Sequence, residues 1–515
     1  MRNTANLSAR PLLDAFEAFG GTVYDLNRRT SLSGAGLRAG RDALGRTLAG
    51  IGVGPGDRVL TAVSNGPLFP IAVTALLGLG ACPLLIHADT PLPEMERTAG
   101  QWGAHWVLTD ATASIPTPTP RGAVTWDAGA AGTLIAAVIG TGGPAGPRPG
   151  PLHGPHGVPL HPTSGTSGRP KVALRPGPSA TAEADHYIET LGIGARDTVL
   201  CMTPMSHAYA YGMCFAVPLR SSATVVTMRQ FNPRLARRAV EELGITVMPA
   251  VPAMLDLLLR ERGTWTAAPL QLTAGAPLDR RTAEGWWRRF GVPVRSLYGT
   301  TETGGIAIAP HGGHESDTLG PPMSGVAVRV RGLPGVGQPG AGLLEVSSSS
   351  MMAGYLDPRT GAHDPVEGPV EGGPEDGWFR TGDLAEVGAD GHIRLLGRES
   401  DLINVMGHKV IPSEVAEMIG RLDGVMDVIV YAGVHRSGGQ IVQAAVVARR
   451  EVNEDLLRRH CEASLVSYKL PSRIHFLEEL PRNPAGKVIR TALPDAVGAH
   501  APPIEGDPSP GIPMR

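Results

Sequence analysis

The feature that most narrows the fold is a repeated alternation of short, continuously apolar runs with helical stretches. After Asp57 the chain reads Arg-Val-Leu-Thr-Ala-Val, then an apolar helical stretch over 69–79, then Ala81-Cys-Pro-Leu-Leu-Ile. A strand with one wet face alternates apolar and polar residues, whereas a strand covered on both faces is apolar throughout. These runs therefore predict a parallel sheet with helices on its faces. A further strand is expected at 104–108. The pattern returns as strands at 223–228, 245–248, 270–273 and 292–297. Helices at 233–243, opened by Asn232, at 252–262 and at 280–290 lie between them. Two doubly wound α/β halves are the simplest architecture.

Other stretches mark the boundaries. Residues 140–159 (GTGGPAGPRPGPLHGPHGVP) are too rich in Gly and Pro for a helix or central strand and are expected to form an exposed loop. Beyond Ser324 short alternating runs at 326–330 and 343–346 predict a small β subdomain. After Arg398 a helix at 412–421, strands at 425–431 and 441–448 and a helix at 453–464 predict a small α+β domain. The fold class expected is thus α/β: a large N-terminal domain of two doubly wound subdomains plus the β subdomain (1–397), then a small C-terminal domain (398–497). The Pro-rich tail, 498–515, is expected to be disordered.

At 515 residues the chain exceeds the size at which single cores stop growing, which agrees with more than one domain. Lys+Arg 46 against Asp+Glu 48 gives a formal charge of -2, without the basic stripe a nucleic-acid partner requires. No apolar run reaches the roughly 20 residues that span a bilayer, and the N-terminus lacks a signal-peptide core, so a cytoplasmic protein is expected. The four cysteines are scattered without CxxC spacing, which predicts buried free thiols rather than disulfides or a zinc site.

The segment richest in chemistry is Thr163-Ser-Gly-Thr-Ser-Gly-Arg-Pro-Lys171. Glycines let the backbone turn its N–H groups inward, hydroxyls add donors, and a lysine supplies a point charge, the makings of a polyphosphate cradle. A plain Gly/Ser linker has no need of Lys after Pro. A Walker P-loop would place GK[ST] at a helix start, whereas here Pro170 separates Gly168 from Lys171 and Val172 follows.

Further segments follow in order: Ala274-Gly-Ala-Pro-Leu278, Tyr298-Gly-Thr-Thr-Glu-Thr303, Gly377-Trp-Phe-Arg-Thr-Gly-Asp383, Gly397-Arg398 with Asp401, Gly407-His-Lys-Val-Ile-Pro-Ser-Glu414 and Pro481-Arg-Asn-Pro-Ala-Gly-Lys487. Together with the first segment they resemble the adenylate-forming superfamily of acyl-CoA synthetases, aryl-acid ligases and peptide-synthetase adenylation domains. The match runs from about residue 30 to 492.

The resemblance implies roles at matching positions. Thr163, Ser164, Gly165, Thr166, Ser167, Gly168 and Lys171 would hold the β and γ phosphates of ATP. Glu302 would hold Mg2+ against them, since hard oxygen ligands suit that ion, and Thr301 would contact the α-phosphate. Gly275, Ala276, Pro277, Tyr298, Gly299 and Thr300 would line the adenine site, where an aromatic face stacks on the base. Asp383, assisted by Arg398, would accept hydrogen bonds from the ribose hydroxyls. Lys487 would stabilise the charge that builds as a carboxylate attacks the α-phosphate. The C-terminal domain would be mobile, swinging about Ser400 to withdraw Lys487 and present the loop carrying Gly407 for thiol attack. Relatives commonly show Asp or Lys at that hinge. Val172 likewise stands where they carry Gly, and the residues before Thr163 lack their usual aromatic.

His207, in Pro-Met-Ser-His-Ala-Tyr-Ala-Tyr-Gly212, matches the gate of the acyl site. Amino-acid-activating relatives carry Asp just after it and dihydroxybenzoate-activating ones Asn, whereas this chain has Ala208. With Tyr209, Tyr211, Met213 and Ala307 this implies a lipophilic, uncharged carboxylic acid of secondary or catabolic metabolism. The implied enzyme is an AMP-forming acid–thiol ligase using ATP, Mg2+ and coenzyme A. An acyl carrier protein or separate transferase is the alternative acceptor, a non-catalytic binding protein the alternative class, and monomer and homodimer stay open.

Overall fold

The computed structural model describes residues 8–110, 123–139, 157–163, 171–310, 318–334, 340–356, 363–365, 377–406, 408–434, 439–481, 488 and 492–493. The chain divides into two compact units. The first comprises Met1–Arg329, Glu345–Thr381 and Gly388–Arg394; the second comprises Val330–Leu344, Gly382–Val387 and the chain from Leu395 onward.

The first unit contains the two predicted halves. The eight-stranded sheet runs Gly304–Ile308, Val294–Thr300, Leu270–Thr273, Val247–Ala250, Thr198–Cys201, Thr224–Thr227, Thr22–Asp25 and Thr30–Ser33 in spatial order. Its six inner strands are mutually parallel, and an antiparallel hairpin closes each edge. The strand Thr22–Asp25, far upstream in sequence, is therefore part of the second half. The nine-stranded sheet has a parallel centre of Leu160–Thr163, Cys82–Leu85, Arg58–Ala62 and Trp106–Thr109. Antiparallel strands flank that centre, among them Lys171–Leu174 beside Leu160–Thr163 and Gly354–Leu356 beyond it.

Local chemistry accounts for these elements. Asn232 and Asp279 cap the helices Pro233–Glu242 and Arg280–Phe290 by accepting from the N–H groups of Leu235 and Thr282, which supplies acceptors that helix starts lack. Leu68–Gly78 is buried through Leu77, as a helix packed on all sides must be. Phe16, Leu37, Leu44, Phe69, Leu76, Tyr187, Tyr211 and Phe215 join four α-helices and the π-helix Tyr211–Ala216 into the largest core cluster, and truncating one such aromatic costs about 3–5 kcal/mol.

The structure corrects one expectation about 140–159. Gly157, Val158 and Pro159 are buried, not exposed, and a Cβ on Gly157 would lie 1.8 Å from the carbonyl oxygen of Ala81. The neighbouring strand approaches so closely that only glycine fits. Residues 140–156 lie outside the described residues, as does the tail 498–515.

In the second unit Val425–Val434 pairs antiparallel with Gln440–Ala448, and Arg473–Phe476 adds a parallel strand. The helices Pro412–Gly420 and Glu454–Glu462 belong to the same α+β unit, whose core includes Val415, Ile419, Val430, Val442 and Leu457. The strands predicted after Ser324 form at Val326–Gly332 and Ala341–Ser348. All four cysteines are free and buried. Among the described residues no helix is long and apolar enough to cross a membrane.

Candidate active site

Thr163 and Lys171 are cross-strand partners in the antiparallel ladder of Leu160–Thr163 with Lys171–Leu174. That pairing brings together the two ends of the glycine-rich segment; Ser164, Gly165, Thr166, Ser167 and Gly168 themselves lie outside the described residues. On the other side of Lys171–Leu174, the strand Gly354–Leu356 pairs Tyr355 with Ala173. The Lys171 ammonium consequently stands 4.8 Å from the centre of the Tyr355 ring, within cation–π reach.

Glu302 arrives from the other sheet. Val294–Thr300 turns at Thr301–Thr303 into the antiparallel strand Gly304–Ile308, so Tyr298, Gly299 and Thr300 are strand residues and Glu302 sits on the hairpin turn. Tyr355 Oη donates to Glu302 Oε1 at 2.7 Å. Burial raises the Tyr355 pKa first and Glu302 raises it further, which keeps the phenol protonated as a donor to the carboxylate. Lys171, Tyr355 and Glu302 thus form one chain of contacts joining the phosphate-binding candidate to the metal-binding candidate. Tyr355 escaped the sequence reading because only ladder pairing across some 180 residues brings it to Lys171.

The Thr301–Thr303 turn is held from several sides. Thr303 N donates to Thr300 O at 3.3 Å, and the hydroxyls of Thr300 and Thr303 lie 3.1 Å apart. Ser350 Oγ donates to Thr303 O at 2.6 Å, and Met352 N donates to Glu302 O at 2.6 Å. Arg175 Nη1 donates to the carbonyl of Thr301 at 3.1 Å. Thr301 and Glu302 are half-buried, so their side chains keep an open face on a fixed backbone.

Gly275, Ala276 and Pro277 follow the carboxyl end of Leu270–Thr273, the parallel neighbour of Val294–Thr300. Loops at the carboxyl ends of parallel strands are where open α/β sheets bind nucleotides. Gly275 adopts φ +86 and is exposed, while Tyr298 is half-buried opposite Ala307 in the hairpin.

His207 is exposed and begins the short helix Ala208–Ala210, followed by a π-helix at Tyr211–Ala216, a geometry often found at functional sites. Its imidazole centre lies 6.5 Å from that of His87. Despite the exposed surface, the protein mass around the ring lowers its pKa, and His87 lowers it a little more. Asn65 fixes the approach to His207. Its amide donates to Thr203 O at 2.9 Å and Met228 O at 3.2 Å, and its oxygen accepts from Met205 N at 2.8 Å. Of the acyl-site candidates, Ala208 and Tyr209 are half-buried, whereas Tyr211, Met213 and Ala307 have no accessible surface. Tyr211 packs edge-on against His161 at 4.7 Å between ring centres.

In the second unit Arg398 Nε lies 3.0 Å from Asp383 Oδ1, with Asp383 buried and Arg398 exposed. Ser400 is exposed in the 3₁₀ turn Glu399–Asp401. Gly407 and Lys487 lie outside the described residues.

Among the described residues no cluster of three or more His, Cys, Asp or Glu could hold a metal by itself. A lone carboxylate such as Glu302 instead suits Mg2+, which is bound through one or two carboxylates plus substrate phosphates.

Residues 15–356 match the model for AMP-binding enzymes, and 414–487 match that for the C-terminal domain of AMP-binding enzymes. The chain is 27% identical over 471 residues to a long-chain-fatty-acid–CoA ligase of Mycobacterium tuberculosis, covering 88% of this chain and 91% of the relative. It is 29% identical over 484 residues to a 4-chlorobenzoate–CoA ligase of an Arthrobacter species, covering 89% of each. The fold matches ATP-bound MatB from Rhodopseudomonas palustris with a TM-score of 0.73 at 24% identity, over 95% of this chain and 98% of that one. The chain belongs to the AMP-binding enzymes of the adenylate-forming superfamily and is an AMP-forming acid–thiol ligase.

Proposed function

We propose that the enzyme activates a lipophilic, uncharged carboxylic acid with ATP, releasing pyrophosphate, and transfers the acyl group from acyl-AMP to coenzyme A. The observation that carries this reading is the gathering of Lys171 and Glu302 about Tyr355, a cation and a carboxylate locked together beside the nucleotide-binding strand ends.

Lys171 would take the charge of the β and γ phosphates that leave as pyrophosphate. Mg2+, held by Glu302 and the phosphates, would supply charge neutralisation. Asp383 would accept from the ribose hydroxyls, with Arg398 keeping its carboxylate oriented. We assign 1–397 to adenylation and 398–497 to a mobile lid that carries Lys487 to the α-phosphate, with Ser400 at the hinge. The acid's class rests on Ala208 and Tyr209, which offer no charge to an ammonium or second carboxylate beside His207. The supply of ATP and coenzyme A favours a cytoplasmic location.

The test incubates the enzyme with ATP, Mg2+, coenzyme A and a pool of aliphatic, aryl and polycyclic acids, with products read by mass spectrometry. The expected result is AMP, pyrophosphate and one or few acyl-CoA species. Acyl-AMP without thioester would move the acceptor to a carrier protein or separate transferase. ADP would overturn the phosphate-site reading, and turnover only with amino acids or acetate would overturn the substrate class.

A further inference from the structure

Arg175 and Glu183 are among the most deeply buried charged residues of the first unit, with side chains 1% and 2% exposed and a 2.8 Å contact between Nη2 and Oε2. Neither occurs in the segments that carry the family resemblance to ATP chemistry. Burying two charges is expensive, and an apolar pair of equal volume is often at least as stable, so such a pair calls for a specific use.

Its surroundings supply one. Arg175 directly follows the strand Lys171–Leu174, and its backbone N–H donates to Pro159 O at 3.0 Å. Its guanidinium forks to two other segments: Nη1 to Thr301 O at 3.1 Å, and Nη2 to Ser350 O at 3.3 Å as well as to Glu183. Ser350 in turn donates to Thr303 O. Glu183, on the helix Gly177–Leu191, lies against Gly304 and Gly212, where an added Cβ would come within 2.8 Å and 2.9 Å of its carboxyl group. Gly304 closes the Thr301–Thr303 turn with φ +74, and Gly212 lies in the π-helix that follows His207. One buried ion pair therefore touches the strand bearing Lys171, the turn bearing Glu302, the Ser350 segment leading to Tyr355, and the helix behind the acyl gate.

We infer that Arg175, oriented by Glu183, is a positioning residue that sets the Thr301–Glu302 turn against Lys171 for the adenylation half-reaction. This inference rests on the adenylation reading above. With its side chain 1% exposed, Arg175 acts from beneath the turn: it holds the Thr301 carbonyl directly and the Thr303 carbonyl through Ser350. The planar fork is essential, because a lysine keeps the charge opposite Glu183 but cannot serve two carbonyls and a carboxylate in fixed directions.

The test compares wild type with Arg175→Lys and with the double variant Arg175→Met/Glu183→Leu, which removes both charges so that neither is stranded in the core. Three readouts are taken on the full chain: acid-dependent ATP–pyrophosphate exchange, thioester formation from supplied acyl-AMP and coenzyme A, and hydrogen exchange of peptides covering 300–305. Small misplacements of reacting groups cost up to about 100-fold, so kcat for exchange should fall about 10- to 100-fold in both variants, with KM for ATP changing less than about threefold. Thioester formation from supplied acyl-AMP should fall less than about threefold, and the 300–305 amides should exchange at least about tenfold faster while those of Leu270–Thr273 are unchanged.

Equal loss of both half-reactions, or unchanged protection of the turn, would reduce the pair to a structural role and overturn the inference. If Arg175→Lys does not fold, the double variant decides alone. If wild type shows no pyrophosphate exchange with any acid, the adenylation reading fails, whereas hydrogen exchange still reports whether Arg175 tethers the turn.

Discussion

Tyr355 Oη donates a 2.7 Å hydrogen bond to Glu302 Oε1 while the Lys171 ammonium stands 4.8 Å from the centre of the same ring. One aromatic side chain orients both charged candidates. Tyr355→Phe keeps the ring under Lys171 and deletes only the donor to the carboxylate. Loss of a hydrogen bond to a charged group costs about 1.5–3 kcal/mol, so kcat/KM for pyrophosphate exchange should fall about 10- to 100-fold. The requirement for Mg2+ should rise with little change in melting temperature. A variant as active as wild type in a Mg2+ titration would separate Tyr355 from the site.

Lys171→Met removes the cation at the end of the glycine-rich segment. Because the ammonium is assigned to the departing phosphates, adenylation should drop at least about 100-fold, whereas thioester formation from supplied acyl-AMP should be spared. Parallel rate measurements on the two half-reactions check this. A proportional loss in both would assign Lys171 to folding instead.

Asp383→Asn retains shape but removes the charge that faces Arg398 at 3.0 Å. If the carboxylate accepts from the ribose hydroxyls, KM for ATP should rise about tenfold, while the KM for the acid stays unchanged. Initial-rate kinetics with each substrate varied in turn distinguish this from a general loss of activity.

His161 is 1% exposed, its ring nitrogens have no hydrogen-bond partner among the described residues, and its pKa is held well below the usual value by burial first and by Arg175 and His207 second. The folded protein therefore resists protonating a ring that the unfolded chain protonates normally. Above the ordinary imidazole pKa the ring is neutral in both states, and its titration adds nothing to the pH dependence of stability. As pH falls below about 6.5 the unfolded state binds the extra proton and stability declines. His161→Leu should flatten the fall in melting temperature between pH 7.5 and 5.5. An unchanged slope would locate the acid sensitivity elsewhere.

Gly157→Ala probes the close approach to Ala81. With 1.8 Å between the new Cβ and a backbone oxygen, two strands must separate, and a cost of about 3 kcal/mol is expected. Denaturant unfolding measures it directly, and a loss under about 0.5 kcal/mol would contradict the close approach of Gly157 to Ala81.

The sequence alone indicated many of the central strands and helices and the class of chemistry, although it did not mark strands such as Thr22–Asp25 and Thr133–Val138 or the helix Gly177–Leu191. Continuous apolar runs at 58–63 and 81–86 predicted strands buried on both faces, which form at Arg58–Ala62 and Cys82–Leu85, and Asn232 marked a helix start that the structure places at Pro233. The order of motifs from Thr163 to Lys487 sufficed for the superfamily, because loops that handle ATP need particular residue types at close spacing. Tertiary structure alone decided what lies far apart in the chain. Thr22–Asp25 joins the second sheet by pairing with Thr224–Thr227, and Tyr355 meets Lys171 and Glu302 by pairing with Ala173. Arg175 and Glu183 read locally as ordinary charges in a strand–helix junction, since nothing in the neighbouring residues says that both will be buried. The physical reason is the same in each case: periodicity and capping act over a few residues, whereas ladder register and the compensation of buried charge depend on which segments the fold brings together.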